Sequence, residues 1–304
     1  MGARETARRR CVAGAAATLL TAGLLAGCAD GTSREPRGAA SGPPSDSRST
    51  APAPTPELDS IAVIGHSGAT GANSDPDRPN TDARENSWAT GDNPAVRSIY
   101  LRLLADHHAL AGNAVNEALD GSDVSSLAQQ ASLVMHRGPV PDVVLIQSID
   151  NDERCDGTDR QNQAPYAASL GEVIRSIVDT SERTQVYLVS QWATAANYAA
   201  AVEDNPEAVA QLAGSGPCDL FDERGRIRPA AVRHQQAIVD MYWATVEKTC
   251  AGIPRCFTDG GAEQRLVPTP RDITYDFNHL SVSGHRKFAQ LAWAALPAAI
   301  RDRR

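Results

Sequence analysis

The stretch Ser60-Ile61-Ala62-Val63-Ile64-Gly65-His66-Ser67-Gly68 decides the reading of the fold. Its first five residues are a short apolar run that stops at a glycine. A run this short, bounded by a turn signal, reads as a strand buried on both faces. Such strands belong to parallel sheets covered by helices. The signature returns at Val143-Val144-Leu145-Ile146 and at Gln185-Val186-Tyr187-Leu188-Val189, and in weaker form over Asn113 to Ala118. Between these runs the apolar residues recur at helical spacing. Pro94 to Leu104 carries Val96, Ile99, Tyr100, Leu103 and Leu104 on one face, and Pro165 to Asp179 carries Leu170, Val173, Ile174 and Ile177. Asp123 to Met135, Pro229 to Thr249 and Ser283 to Leu296 also read as helices. Buried strands alternating with helices predict an α/β fold, a single-domain three-layer α/β/α sandwich with a mostly parallel sheet. Residues 192–229, with Gly214, Gly216, Pro217 and Pro229, read as an irregular insertion.

Outside this domain the composition changes. Arg4, Arg8, Arg9 and Arg10 precede an apolar stretch from Val12 to Leu25, too short for an ordinary membrane span. The pattern predicts a secretory signal over residues 1–27. It ends in Leu25-Ala26-Gly27-Cys28, which resembles a bacterial lipobox. That resemblance implies cleavage before Cys28, acylation of Cys28 by chains such as palmitate, and anchoring to the outer side of the cell membrane, because buried methylenes add roughly 0.8 kcal/mol each. Residues 28–57, ending in Ala51-Pro52-Ala53-Pro54-Thr55-Pro56, are too poor in apolar residues to fold and read as a tether. The folded domain then spans 58–304. The whole chain has 304 residues, 41% of them apolar, and a formal charge of −8. This suits one domain with a core and argues against general nucleic-acid binding, which needs a basic face.

Export frames the cysteines. Setting aside Cys11 and Cys28, four remain: Cys155, Cys218, Cys250 and Cys256. An even number outside the cytoplasm predicts disulfides, and three pairings exist. Cys250 with Cys256 closes a short loop, and Cys155 with Cys218 a long one; this pairing is favoured. The cysteines lack C-x-x-C spacing, so no metal site is expected.

In parallel sheets the chemistry gathers beyond the carboxyl ends of the strands. After the first strand, Gly65-His66-Ser67-Gly68 can hold a serine hydroxyl on a tight turn. Near the C-terminus, Asp276-Phe277-Asn278-His279 places a carboxylate three residues before an imidazole. A serine hydroxyl is a poor nucleophile until a base takes its proton, and a carboxylate orients that base. After the strand at 143–146, Asp150-Asn151-Asp152 offers an amide for a developing oxyanion, and Gly121 a backbone amide.

These stations, in this order, resemble the SGNH (GDSL-type) hydrolases, from about Ile61 to Ala292. The resemblance implies an SGNH-hydrolase-like, flavodoxin-like domain with Ser67 as nucleophile and Asp276 and His279 as its partners. Ser67, Gly121 and Asn151 would form the oxyanion hole. It implies an esterase acting on a small-molecule or glycan ester, without cofactor or metal. Transacylation and a silent ligand-binding domain are the alternatives. Two departures from the family pattern motivate the latter: Gly-Asp-Ser reads Gly65-His66-Ser67, and the glycine of Gly-x-Asn-Asp is Ile149. His66 is either a pocket residue or a structural replacement, and Trp88 either lines the cleft or covers the surface. Asp150 is a further pocket candidate. Asp150, Asp152, Glu153 and Asp156 lack calcium-loop spacing and read as a solvated acidic loop.

Overall fold

A computed structural model describes residues 57–213 and 218–303. The expected signal, lipobox and nearly all of the tether lie outside the described residues. Five strands form one sheet: β1 (Ile61–Gly65), β2 (Ala114–Asn116), β3 (Val143–Gln147), β4 (Gln185–Val189) and β5 (Cys256–Thr258). Their order is β2-β1-β3-β4-β5 and every pairing is parallel. The helices are α1 (Ser67–Thr70), α2 (Ile99–Leu104), α3 (Leu127–His136), α4 (Asp159–Thr180), α5 (Ala195–Val202), α6 (Pro206–Leu212), α7 (Pro229–Ala251), α8 (Val282–Ala295) and α9 (Ala298–Arg301).

The continuous apolar runs of β1 and β3 are buried at every position. Alternate residues feed two cores. Ile61, Val63, Val143, Leu145 and Tyr187 pack with α2, α8 and α9 on one face. Ala62, Ile64, Val144, Ile146 and Leu188 pack with α3, α4 and α7 on the other. This is the three-layer sandwich expected from the alternation. Between β1 and β3 the chain first runs out to the edge strand β2 and then crosses back. That reversal opens a crevice beyond the carboxyl ends of β1 and β3. Ser67 follows one of these strands and Asp150 the other.

Gly65 makes the turn out of β1 possible. Its φ of +141° is a conformation side chains rarely adopt, and a Cβ there would stand 2.1 Å from the Gln147 carbonyl oxygen. Both disulfides form as favoured, Cys155–Cys218 and Cys250–Cys256, with Cα atoms 5.4 and 5.3 Å apart.

Several features differ from the sequence reading. The helix read from Pro165 begins at Asp159 and carries Pro165 inside it. A proline there only leaves the carbonyl four residues earlier without its donor, so it marks a lost hydrogen bond rather than a start. The helix read from Pro94 begins at Ile99, because Ser98 accepts from the Leu101 amide and caps it. The insertion is not irregular: it contains α5 and α6, capped by Thr194 and by Asn205 followed by Pro206. Finally, β5 has only three half-buried residues and too little pattern to be read.

Candidate active site

His66 is the N-cap of α1, and its Nδ1 accepts from the Gly68 amide at 3.1 Å. Accepting at Nδ1 means that the neutral ring carries its proton on Nε2. Burial keeps the ring neutral and pulls its pKa down, against the opposing field of Asp150. Its Nε2 is shielded from solvent and has no hydrogen-bond partner among the described residues. His66 is thus at once the brace of the nucleophile turn and the bearer of a spare donor. Gly68 must be small, since a Cβ would fall 2.5 Å from the Gln147 amide nitrogen. Gln130 of α3 and Ser122, in the loop after β2, fasten the turn. Gln130 Oε1 accepts from the Gly65 amide at 2.7 Å, and Ser122 Oγ donates to the Gly65 carbonyl at 2.8 Å. Ser67 itself is buried and is the first residue of α1, so its amide has no intrahelical acceptor.

Asp276 and His279 meet as a pair. His279 Nδ1 stands 2.7 Å from Asp276 Oδ2, in a loop that Phe277 turns through a left-handed φ of +57°. Asp276 Oδ2 also accepts from Asn73 Nδ2 at 2.5 Å, while Oδ1 accepts from the Thr274 hydroxyl and from the amides of Asn278 and His279. Burial alone would raise the Asp276 pKa. The donors, His279 and Thr274 foremost, outweigh it and hold the carboxylate well below its usual range. For His279 burial acts the other way, downward, but the Asp276 hydrogen bond and the fields of Asp276, Asp150 and Asp120 raise the pKa. Its Nε2 is buried with no partner among the described residues.

Two observations put this pair beside the nucleophile turn. Asn73 follows Ser67 by six residues and binds Asp276 directly. His66 also feels the charge of His279, and both rings feel Asp150 and Asp120.

The remaining candidates fall differently. Gly121 lies in an exposed turn at φ +70°, next to Asp120. Asn151 is exposed and its Nδ2 donates to the Ser122 carbonyl at 2.9 Å. Asp150 is the group of its loop whose field reaches both histidines, and Gln191 Nε2 donates to its Oδ1 at 3.0 Å. Ile149 holds φ +102° and ψ −64°, close to the rare, strained γ-turn. The site keeps a glycine-like backbone there without the glycine.

Two expectations need correction. Trp88 neither lines a cleft nor covers the surface. It is wholly buried, packs on Phe288 with centroids 4.7 Å apart, and donates to Gln147 Oε1 at 2.7 Å. The acidic loop is solvated only in part: Asp156 is exposed, but Asp152 and Glu153 are covered. Asp152 is buried, accepts from the Val124 amide, and burial pushes its pKa up to about 7. Burial and then the Asp150 field push Glu153 up to about 8.

A small cavity of about 80 Å³ shares Asp150 and Asn278 with this region and is walled by Glu153, Gln191, Trp192, Tyr198 and Gln235. Among the described residues no group of His, Cys, Asp and Glu is arranged to hold a metal ion.

The chain is similar to solved GDSL-like lipases and carbohydrate esterases. The extracellular lipase from Streptomyces rimosus is 15% identical, with a TM-score of 0.48 over 78% of this chain and 99% of that one. LAE5, an α/β hydrolase enzyme from the metagenome of Lake Arreo, is 19% identical, with a TM-score of 0.46 over 78% and 94%. The family 3 carbohydrate esterase of Clostridium thermocellum is 15% identical, with a TM-score of 0.44 over 77% and 93%. No family model matches the chain, and no curated protein matches it. At such distances the likeness decides nothing about chemistry, and the side chains must.

Several supports were missed in the sequence. Asn73, Thr274, Gln130 and Gln191 carry no motif. Tyr198 lies in the segment read as irregular, and its hydroxyl donates to the Phe277 carbonyl.

Proposed function

We propose that the chain is a serine ester hydrolase of the SGNH type, with Ser67 as nucleophile, His279 as base and Asp276 as its orienting carboxylate. One observation carries the reading: an imidazole whose Nδ1 is held by a strongly ionised carboxylate while its buried Nε2 is left without a partner, beside a serine on a strand-end turn. Held this way, Nε2 has its lone pair available for a proton.

In this reading His279 Nε2 takes the proton of Ser67 Oγ as that oxygen attacks the acyl carbonyl carbon. The same proton passes to the departing alcohol, leaving an acyl-serine. Water, deprotonated by His279, then attacks the acyl carbon, and His279 returns the proton to Ser67 Oγ as the bond to serine breaks and the acid leaves. The oxyanion is received by the amides of Ser67 and Gly121. Asn151 keeps one N–H beyond the bond to Ser122, and His66 Nε2–H is a further donor at hand. Each such donor is worth about 3 to 4 kcal/mol in hydrolases where one was removed. Small-molecule and glycan esters are the substrates to test. The strained Ile149 and the bond from Asn151 to Ser122 favour a second reading, a ligand-binding domain without turnover.

A fluorophosphonate probe with peptide mass spectrometry separates the two. Label confined to Ser67 and absent from Ser67→Ala supports the hydrolase. A folded chain that takes no label overturns it. We further propose that the chain works outside the cytoplasmic membrane, anchored through Cys28. Incorporation of an alkynyl fatty acid that Cys28→Ala abolishes would support this, and label retained by that variant would refute it.

A further inference from the structure

Asn73 is held at both ends of its amide by two consecutive residues. Its Nδ2 donates to Asp276 Oδ2 at 2.5 Å, and its Oδ1 accepts from the Tyr275 hydroxyl at 2.9 Å. The acyl-transfer mechanism gives Tyr275 no part. Its ring is 46% exposed, whereas every other phenylalanine, tyrosine and tryptophan among the described residues is buried or half-buried. A ring left at the surface gains little from packing. Its hydroxyl, by contrast, is fully engaged. It accepts from the Asn80 amide at 2.9 Å, and its one proton goes to Asn73 Oδ1, which is nearer than Asn80 Oδ1 at 3.3 Å. What tyrosine brings to this position is the oxygen.

The same contacts decide which way round the Asn73 amide sits. Its Oδ1 faces two donors, the Tyr275 hydroxyl and the Asn80 N–H, the latter at 2.7 Å. Turned over, the amide would set its oxygen against the Asp276 carboxylate and its nitrogen against the Asn80 N–H. Acceptor would meet acceptor and donor would meet donor. The Asn80 N–H is placed by the backbone. Asn73 and Asn80 hold left-handed φ values of +56° and +59°, and the Asn73 amide donates to the Thr81 carbonyl at 3.0 Å, which closes the loop between them. Asparagine tolerates that conformation better than most residues. Tyr275 completes the arrangement from the opposite side. It ties the loop that follows Ser67 to the loop of His279, next to the bond that Asp276 makes.

We infer that Tyr275 is a positioning residue: through Asn73 it fixes the Asp276 carboxylate, and with it how the His279 ring stands toward Ser67. Its part in turnover rests on the hydrolase reading, whereas the clasp on Asn73 does not. With the hydroxyl gone, Asn73 Oδ1 keeps the Asn80 amide as its one donor, and the side chain is freer to leave Asp276. The carboxylate is then less firmly placed for the Asn278 and His279 amides that donate to its other oxygen.

The test reads activity and loop opening separately, both on the full chain. Tyr275→Phe keeps the ring and removes the oxygen. It should lower kcat on 4-nitrophenyl acetate, and the rate of fluorophosphonate labelling at Ser67, each by roughly 5- to 10-fold, with KM and melting temperature as in the parent. In an Asn73→Ala background the same substitution should change neither rate by more than about 2-fold, because an effect that passes through Asn73 vanishes with it. Tyr275→Ala should match Tyr275→Phe. Equal losses with and without Asn73, a rise in KM as the main effect, or a far larger loss in Tyr275→Ala overturns the assignment, since each moves the role to the ring or to the fold. In the second arm, hydrogen exchange is followed by mass spectrometry in the parent and in Tyr275→Phe. Exchange over residues 274–280 should quicken by about 5-fold or more in the variant, while β1 and β3 stay unchanged. Exchange as slow as in the parent overturns the clasp. Faster exchange in the variant, with no labelling of the parent at Ser67, sinks the hydrolase reading alone. A parent that is labelled, with a variant labelled just as fast, sinks the positioning role alone.

Discussion

The two halves of the candidate site are held by different means. The nucleophile turn hangs from the sheet. β1 is buried throughout, Gly65 lies against the β3 backbone, and Gln130 clamps the Gly65 amide. The Asp276–His279 loop rests on no strand. Its backbone is caught by side chains: Tyr198 from α5 on the Phe277 carbonyl, Gln211 from α6 on the Asp276 carbonyl, and Asn73 on the carboxylate itself. Phe277 packs into a satellite core with Ala199, Phe221 and Val232, built largely by the 192–229 segment. One half is thus a property of the fold, and the other a property of a few polar contacts. Stability should report on the first half and turnover on the second.

The strongest test of that division is Asp276→Asn. It should lower kcat by roughly 10⁴-fold, as removal of the orienting carboxylate does in serine proteases, with little loss of melting temperature. Its pH profile has a defined sign. His279 must be neutral to accept a proton, and Asp276 raises its pKa, so activity in the parent chain should rise with pH through a value above the ordinary 6.5. Without Asp276, burial prevails, and the acid limb of kcat/KM should move to lower pH. A limb that stays in place would remove Asp276 from the role assigned to it.

Gly65→Ala should do the reverse. A Cβ 2.1 Å from the Gln147 carbonyl forces the backbone apart. The expected loss is on the order of 3 kcal/mol or more, read as an earlier denaturant midpoint. A variant of unchanged stability would show that the turn does not depend on the sheet as described.

Asn73→Ala removes one charge-assisted bond worth about 1.5 to 3 kcal/mol. It should reduce kcat roughly 10- to 100-fold, and lower the midpoint by no more than the loss of that one bond accounts for. The smallest effect is expected from Tyr198→Phe. It deletes one neutral bond of about 1 kcal/mol, so kcat should fall a few-fold. If both variants lowered stability instead of turnover, the loop would be part of the folding core and the contrast would collapse.

The same contrast explains what the sequence revealed. β1, β3 and β4 are legible because burial on both faces leaves an uninterrupted apolar run, and the crevice follows from strand order. Ser67, Asp276 and His279 stand out as residue types at strand ends and in a short spacing. The supports do not. Asn73 meets Asp276 across 203 residues, and Tyr198 meets Phe277 across 79. A lone asparagine or tyrosine carries no periodicity that would announce such a contact. Pro165 misled because proline more often opens a helix than sits inside one. The acidic loop misled at Asp152 because charge pattern does not report burial: its carboxylate accepts from the Val124 amide and its carbonyl from the Tyr242 hydroxyl.

The Cys155–Cys218 bridge has a consequence for how the molecule matures. It ties the loop that holds Glu153 to the segment that holds Tyr198, over a separation of 63 residues. Closing a loop of that length removes roughly 4 kcal/mol of chain entropy from the unfolded state. A chain freshly made among reducing thiols lacks this closure, and the wall between the two segments is then held by non-covalent contacts alone. The sheet and its serine turn can be complete while the pocket beside them still waits for two sulfurs to meet.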